Sequence, residues 1–206
     1  MEKINAVVFD FGGVLIDWSP WYLYQRVFSK KSEFEKFMVE SRFHQWNERA
    51  DCGENFADLF LEVAKYSPQW LSQVRMFPEN FLETVGGAID GTVQILNELK
   101  VANVPLYGLT NWSAETFPLA KAKYKFFSHF LNIVVSGEEK MIKPEQRFYQ
   151  LALQRWKLNG GECLFIDDKL ANIQAAEKVG MKAIHYQGPD PLRRDLQEYG
   201  FLAITK

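Results

Sequence analysis

Residues 6–9 form a continuous apolar run that stops at Asp10 and is followed by Gly12-Gly13. That pattern predicts a strand buried on both faces, with a tight turn at its C-terminal end. Four more short apolar runs follow, at 104–109, 133–135, 164–166 and 183–185. Between and after them, apolar positions fall at helical spacing and predict helices over 88–100, 114–123, 145–156, 171–179 and 192–199. Strands alternating with helices of this length specify a Rossmann-like, doubly wound parallel α/β sheet covered on both faces.

One stretch breaks the alternation. Residues 18–86 contain helix-like patterns, such as Phe56, Leu59, Phe60 and Val63, but no convincing buried strand. These 69 positions hold 15 aromatic residues against 16 in the other 137, so the segment carries a packing core of its own. It is expected to be a small helical domain inserted after the first strand, with Gly86-Gly87 as the return hinge. Residues 1–17 and 87–206 would then form the α/β domain and 18–86 the insert. Asp17, at the entry to the insert, is expected to cap a helix.

Composition narrows the setting. A formal net charge of −2 and a pI near 6.0 give no electrostatic footprint for nucleic acid or an anionic membrane. Cys52 and Cys163 have no metal-ligand spacing and are expected as free thiols in a reducing compartment. The N-terminal apolar run is too short for a signal peptide or a membrane span. A cytoplasmic monomer or homodimer is the expectation.

Chemistry concentrates at the strand ends. Ligands of an open parallel sheet bind beyond the carboxyl ends of its strands. The first strand ends in Asp10, the 104–109 strand in Thr110-Asn111 and the 164–166 strand in Asp167-Asp168, with Asn172 a turn later. Lys143 precedes Pro144 and another helix. Clustered carboxylates repel, so a cation is expected, and hard oxygen ligands favour Mg²⁺. Thr110 and Asn111 offer hydrogen bonds to a phosphate, and Lys143 offsets negative charge. A carboxylate nucleophile divides a transfer into two easier steps.

Phe9-Asp10-Phe11-Gly12-Gly13-Val14-Leu15 resembles the first motif of the haloacid dehalogenase-like superfamily. Leu109-Thr110-Asn111 resembles the second, Lys143-Pro144 the third and Phe165 to Asn172 the fourth, in the same order over nearly the whole chain. Within the superfamily, the α-glucose-1-phosphate phosphatase group and the phosphatase domain of soluble epoxide hydrolase are most similar. The resemblance implies a Mg²⁺-dependent phosphatase acting on a small phosphorylated metabolite, with Asp10 as nucleophile. It further implies that Asp10, the Gly12 carbonyl and Asp168 hold the metal, supported by Asp167 and Asn172, and that the helical insert is a cap.

One position departs from the pattern. Most phosphatases of the superfamily carry a second aspartate two residues after the nucleophile as general acid and base, and here that residue is Gly12. A positioned acid contributes about 10²–10⁴-fold. Its loss calls for a leaving group that departs without protonation, or for an acid from the cap. His44, Trp46, Glu48 and Arg49 form the most polar-aromatic stretch of the insert and are the expected cap contacts to substrate. His129 and His185 are expected to be structural. The alternatives are a 2-haloacid dehalogenase, which needs no metal, and a catalytically weak binding protein on the same fold.

Overall fold

A computed structural model describes residues 4–203. Met1 to Lys3, part of the N-terminal segment weighed above, lie outside the described residues. Five parallel strands form the main sheet: β1 (Ala6–Phe9), β4 (Leu106–Thr110), β5 (Asn132–Val135), β6 (Cys163–Asp167) and β7 (Lys182–His185). Their order is β5-β4-β1-β6-β7, which puts β1 at the centre. From β1 the connections run first to one edge and then to the other. The crevice at this reversal opens between the ends of β4, β1 and β6.

Alternation along β1 separates the two faces. Val7 and Phe9 pack with Ile95, Leu96 and Leu99 of α6 (Asp90–Val101) and with Leu192 and Leu196 of α11 (Pro189–Glu198). Ala6 and Val8 pack with Phe148, Tyr149 and Ala152 of α9 (Gln146–Trp156) and with Ile173 and Ala176 of α10 (Leu170–Lys178). All four residues of β1 are fully buried. Two shorter helices, α7 (Phe117–Lys123) and α8 (Ser136–Glu139), follow β4 and β5.

The segment between β1 and β4 is helical, as its pattern requires. It contains α1 (Pro20–Tyr24), α2 (Lys31–Glu40), α3 (Phe43–Asp51), α4 (Phe56–Tyr66) and α5 (Leu71–Glu79). Their apolar faces meet in an aromatic cluster centred on Phe77, whose ring lies 5.2 Å from Phe43, 5.5 Å from Trp46 and 6.0 Å from Phe56. Trp112, just past β4, touches Phe81 and so carries the cluster on to the α/β layer.

Two expectations are corrected. The insert is entered and left through a two-stranded antiparallel ribbon of β2 (Ile16–Trp18) and β3 (Val85–Ala88), so Gly86-Gly87 belongs to a paired strand rather than a free hinge. Asp17 lies in β2 and accepts a hydrogen bond from the Tyr22 hydroxyl at 2.7 Å. Ser19 caps α1 instead, its hydroxyl accepting from the Trp21 N–H. Among the described residues, no helix is long and apolar enough to cross a membrane. Cys52 and Cys163 are free thiols.

Candidate active site

Asp10 leaves the C-terminal end of β1 between β4 and β6, and a sharp turn follows it. The Phe11 carbonyl accepts hydrogen bonds from the N–H groups of Val14, Leu15 and Ile16, and Gly13 takes φ +75°, a conformation that favours glycine. A Cβ at Gly13 would also lie 2.6 Å from Asp168 Oδ2, so this position has no room for a side chain. Gly12 differs. Its φ is not positive, and a Cβ there would meet nothing within 4 Å. Phe11 anchors the turn by packing over Gly108 of β4, where an added Cβ would come within 2.4 Å of the Phe11 ring.

Lys143 is the hub of the buried charges. Its side chain is 1% exposed, and Nζ lies 2.9 Å from Asp10 Oδ1 and 2.6 Å from Asp167 Oδ2. Burial works against its charge, yet the two carboxylates outweigh that and raise its pKa. Asn111 fixes the Lys143 main chain at two points: Nδ2 donates to the Lys143 carbonyl at 2.9 Å, and Oδ1 accepts from the Lys143 N–H at 2.8 Å. Expected as a phosphate donor, Asn111 thus pairs the loop after β4 with the lysine segment and retains one free amide hydrogen.

The two aspartates at the end of β6 have different surroundings. Asp167 is fully buried, and both its oxygens are consumed. Oδ1 accepts from the Lys169 N–H at 2.8 Å and Asn172 Nδ2 at 2.9 Å, and Oδ2 accepts from Lys143 and from Asn172 at 3.0 Å. Asn172 is held in turn by the Tyr149 hydroxyl, which donates to its carbonyl at 2.9 Å. Asp168 is partly exposed, its Oδ1 is buried with no partner, and His185 Nε2 donates to its main-chain carbonyl at 3.0 Å. Burial raises the pKa of both Asp10 and Asp168. The Asp167 charge adds to both rises, and Lys143 opposes them.

These residues fit a divalent cation. Asp10, Asp167 and Asp168 each bring a carboxylate oxygen within 4.8 Å of the others. The contacts to Asp10 from Phe11 and Lys143 both fall on Oδ1, which leaves Oδ2 open. Asp168 Oδ1 has no partner, and the Gly12 carbonyl makes no main-chain hydrogen bond among the described residues. A buried polar atom without a partner is costly, so such atoms mark where a ligand belongs. Thr110 Oγ1, buried and unpartnered at the end of β4, is another.

The cap residues singled out from sequence are not brought to this centre together. Trp46 is buried among Phe43, Phe56, Phe60 and Phe77. Arg49 pairs with Glu62 at 2.7 Å and with Glu54. His44 is exposed on a surface groove with Glu35, Arg42 and Gln45, which none of the strand-end residues line. Glu48 is exposed on α3. From the cap, Asp51, the last residue of α3, docks against the loop after β4 through Ser136. Its carboxyl takes a hydrogen bond from the main chain of Ser113 and feels the charges of Lys169 and Asp10. Its own carbonyl accepts from the Ser136 hydroxyl.

Residues 4–180 match the haloacid dehalogenase-like hydrolase family, and the chain belongs to that family of enzymes. It is 28% identical over 187 residues to a sesquiterpene phosphatase of Aspergillus oryzae, covering 88% of this chain and 89% of that one. A drimenol cyclase of Aspergillus calidoustus is 27% identical over 94% of this chain, which spans 36% of the cyclase. Similar folds include a haloacid dehalogenase family enzyme from Bacteroides thetaiotaomicron, solved with magnesium and inorganic phosphate. Its TM-score is 0.68 at 20% identity, covering 90% of this chain and 95% of that one.

Proposed function

We propose that this hydrolase is a Mg²⁺-dependent phosphatase of small phosphomonoesters that works through an aspartyl-phosphate on Asp10. The observation that carries this reading is the division of labour among the carboxylates. Asp167 is saturated by protein hydrogen bonds, whereas Asp10 Oδ2 and Asp168 Oδ1 are open beside a buried, unpartnered Thr110 hydroxyl. A magnesium ion held by Asp10, Asp168 and the Gly12 carbonyl would offset charge on the nucleophile and the phosphoryl oxygens. The phosphatase among the relatives supports the same reading.

The protein's own groups then have distinct tasks. The Asp10 carboxylate attacks phosphorus, and Lys143 and the Phe11 N–H on its Oδ1 hold one rotamer for that attack. Lys143 neutralises charge on the nucleophile as the phosphoryl group approaches. Thr110 Oγ1 donates to a phosphoryl oxygen, and Asn111 keeps Lys143 in register. Water later attacks the aspartyl-phosphate, releasing inorganic phosphate and restoring Asp10.

The test is phosphate release from 4-nitrophenyl phosphate with Mg²⁺. Asp10→Asn, nearly isosteric but a poor nucleophile, should abolish turnover while circular dichroism stays unchanged. Retention of more than a few per cent of activity would overturn the covalent route. Halide release from a 2-haloacid at full rate in EDTA would assign the site to dehalogenation instead.

A further inference from the structure

Asp10 chemistry leaves one proton without a carrier. When an ester P–O bond breaks, the departing oxygen needs a proton, and Gly12 stands where a side chain would supply it. Four groups were expected near the substrate from the cap, and the fold takes three of them elsewhere, into an aromatic core, an ion pair or a surface groove, while Glu48 stays exposed one turn before Asp51 on α3.

We infer that Asp51, at the C-terminal end of α3, is the general acid and base of this enzyme, replacing from the cap the carboxyl that Gly12 lacks. This rests on the phosphatase reading above. The placement follows from three contacts. The Ser113 main chain donates to the Asp51 carboxyl, which fixes it over the loop that begins at Thr110 and Asn111. Ser136 Oγ bridges that loop to the cap, accepting from the Trp112 N–H at 2.9 Å and donating to the Asp51 carbonyl. Gly53, two residues on, approaches so closely that a Cβ there would lie 2.7 Å from the Gly137 carbonyl oxygen. Asn47 Nδ2 steadies the carboxyl further, 3.2 Å from Oδ2.

The surroundings suit a proton donor at neutral pH. Burial pushes the Asp51 carboxyl up to about 7, with the Glu48 and Asp10 charges adding to the rise; Lys169 and the Ser113 hydrogen bond oppose it. The C-terminal end of α3 also disfavours a negative charge. A carboxyl with a pKa near the working pH is well matched to donating and retrieving a proton in one cycle. In the first half-reaction the Asp10–phosphorus bond forms, the phosphorus–leaving-oxygen bond breaks, and the Asp51 proton moves to that oxygen, releasing the alcohol. In the second, Asp51 takes a proton from the attacking water as the new phosphorus–oxygen bond forms and the bond to Asp10 breaks. Phosphate leaves and Asp51 ends protonated.

A series of aryl phosphates of similar shape, from 4-nitrophenyl to phenyl phosphate, reads this directly through kcat/KM with Mg²⁺ present. Asp51→Asn should lower kcat/KM for phenyl phosphate by about 10²–10³-fold, and for 4-nitrophenyl phosphate by less than about tenfold, because nitrophenolate departs without a proton. Gly12→Asp placed in the Asp51→Asn protein should recover phenyl phosphate turnover, since the space beside Gly12 is open. Equal losses across the series, or no loss, would overturn the assignment. If Asp51→Asn does not fold, the unmodified protein carries the test. Its kcat/KM for phenyl phosphate should fall as pH rises through about 7, with a weaker fall for 4-nitrophenyl phosphate, and coincident profiles would refute Asp51. Asp10→Asn run in parallel keeps the two readings apart. Turnover by that variant would overturn the phosphatase mechanism, whatever Asp51 does.

Discussion

Replacing Lys143 by methionine removes a buried cation and leaves two buried carboxylates facing the same space. The side chain is 1% exposed, and methionine nearly matches its length, so the packing loss is small and the charge effect dominates. Removing one partner of a buried ion pair costs about 3–5 kcal/mol. For a chain of 206 residues each kcal/mol shifts the melting temperature by about 2–4 °C, so the expected drop is about 6–20 °C in metal-free buffer near pH 7.5. The structure also says which carboxylate suffers. Asp167 keeps hydrogen bonds from Asn172 and Lys169, whereas Asp10 keeps only the one from Phe11. Asp10→Asn in the Lys143→Met background should therefore restore more than half of the lost stability. Burial already raises the Asp10 carboxyl, and losing Lys143 removes a charge that opposes the rise. The penalty is absent below the unfolded value near 3.9 and grows as pH rises from there to the folded value, so the deficit should shrink towards pH 4. Thermal melts followed by circular dichroism with EDTA present measure all of this. A drop under about 2 °C, or a double variant no more stable than the single one, would refute the reasoning.

Asp168→Ala should raise the Mg²⁺ concentration needed for half-maximal turnover by at least tenfold, as measured by phosphate release across a Mg²⁺ titration; an unchanged requirement would remove Asp168 from the metal site. Trp46→Ala empties the centre of the insert's aromatic cluster, where the residue is 2% exposed, and should cost about 3–5 kcal/mol in chemical denaturation. Gly12→Asp alone should fold with a melting temperature close to that of the unmodified protein, because its backbone and surroundings accept a side chain. Gly13→Asp should not, since its Cβ would meet Asp168.

Much of the fold was legible in the order of short apolar runs. The first run coincides with β1, and Asp10, Thr110 and Asp167 fall at or just beyond the strand ends, because a strand buried on both faces must stop where its first polar residue appears. The run at 104–109 starts two residues early, since Pro105 cannot donate to a ladder and β4 begins at Leu106. The β2–β3 ribbon was not legible: one strand has only three residues and the other contains Gly86-Gly87, so neither is long or regular enough to show a strand pattern. Their pairing is set by chain separation, not local pattern. Asp51 escaped for a related reason. Nothing in Arg49-Ala50-Asp51-Cys52 marks chemistry, and its role arises from the docking of α3 on the loop after β4. Trp46 drew attention for its type, whereas helical periodicity with Phe43 and Ala50 already placed it inside.

The central position of β1 has a consequence during synthesis. This strand is made first, yet its neighbours are Leu106–Thr110 and Cys163–Asp167. At about 5–20 residues per second, Ala6–Phe9 waits on the order of 5–20 s before the first partner strand exists, and longer before the second. Parallel pairing over such distances is slow because loop closure precedes any gain. The insert, by contrast, can gather its aromatic side chains while still close to the ribosome. A nascent chain would carry a collapsed helical knot beside an unpaired, wholly apolar tetrapeptide. That tetrapeptide is the segment most in need of chaperone cover, and the strand that organises the catalytic centre waits for Cys163–Asp167 before both its edges are satisfied.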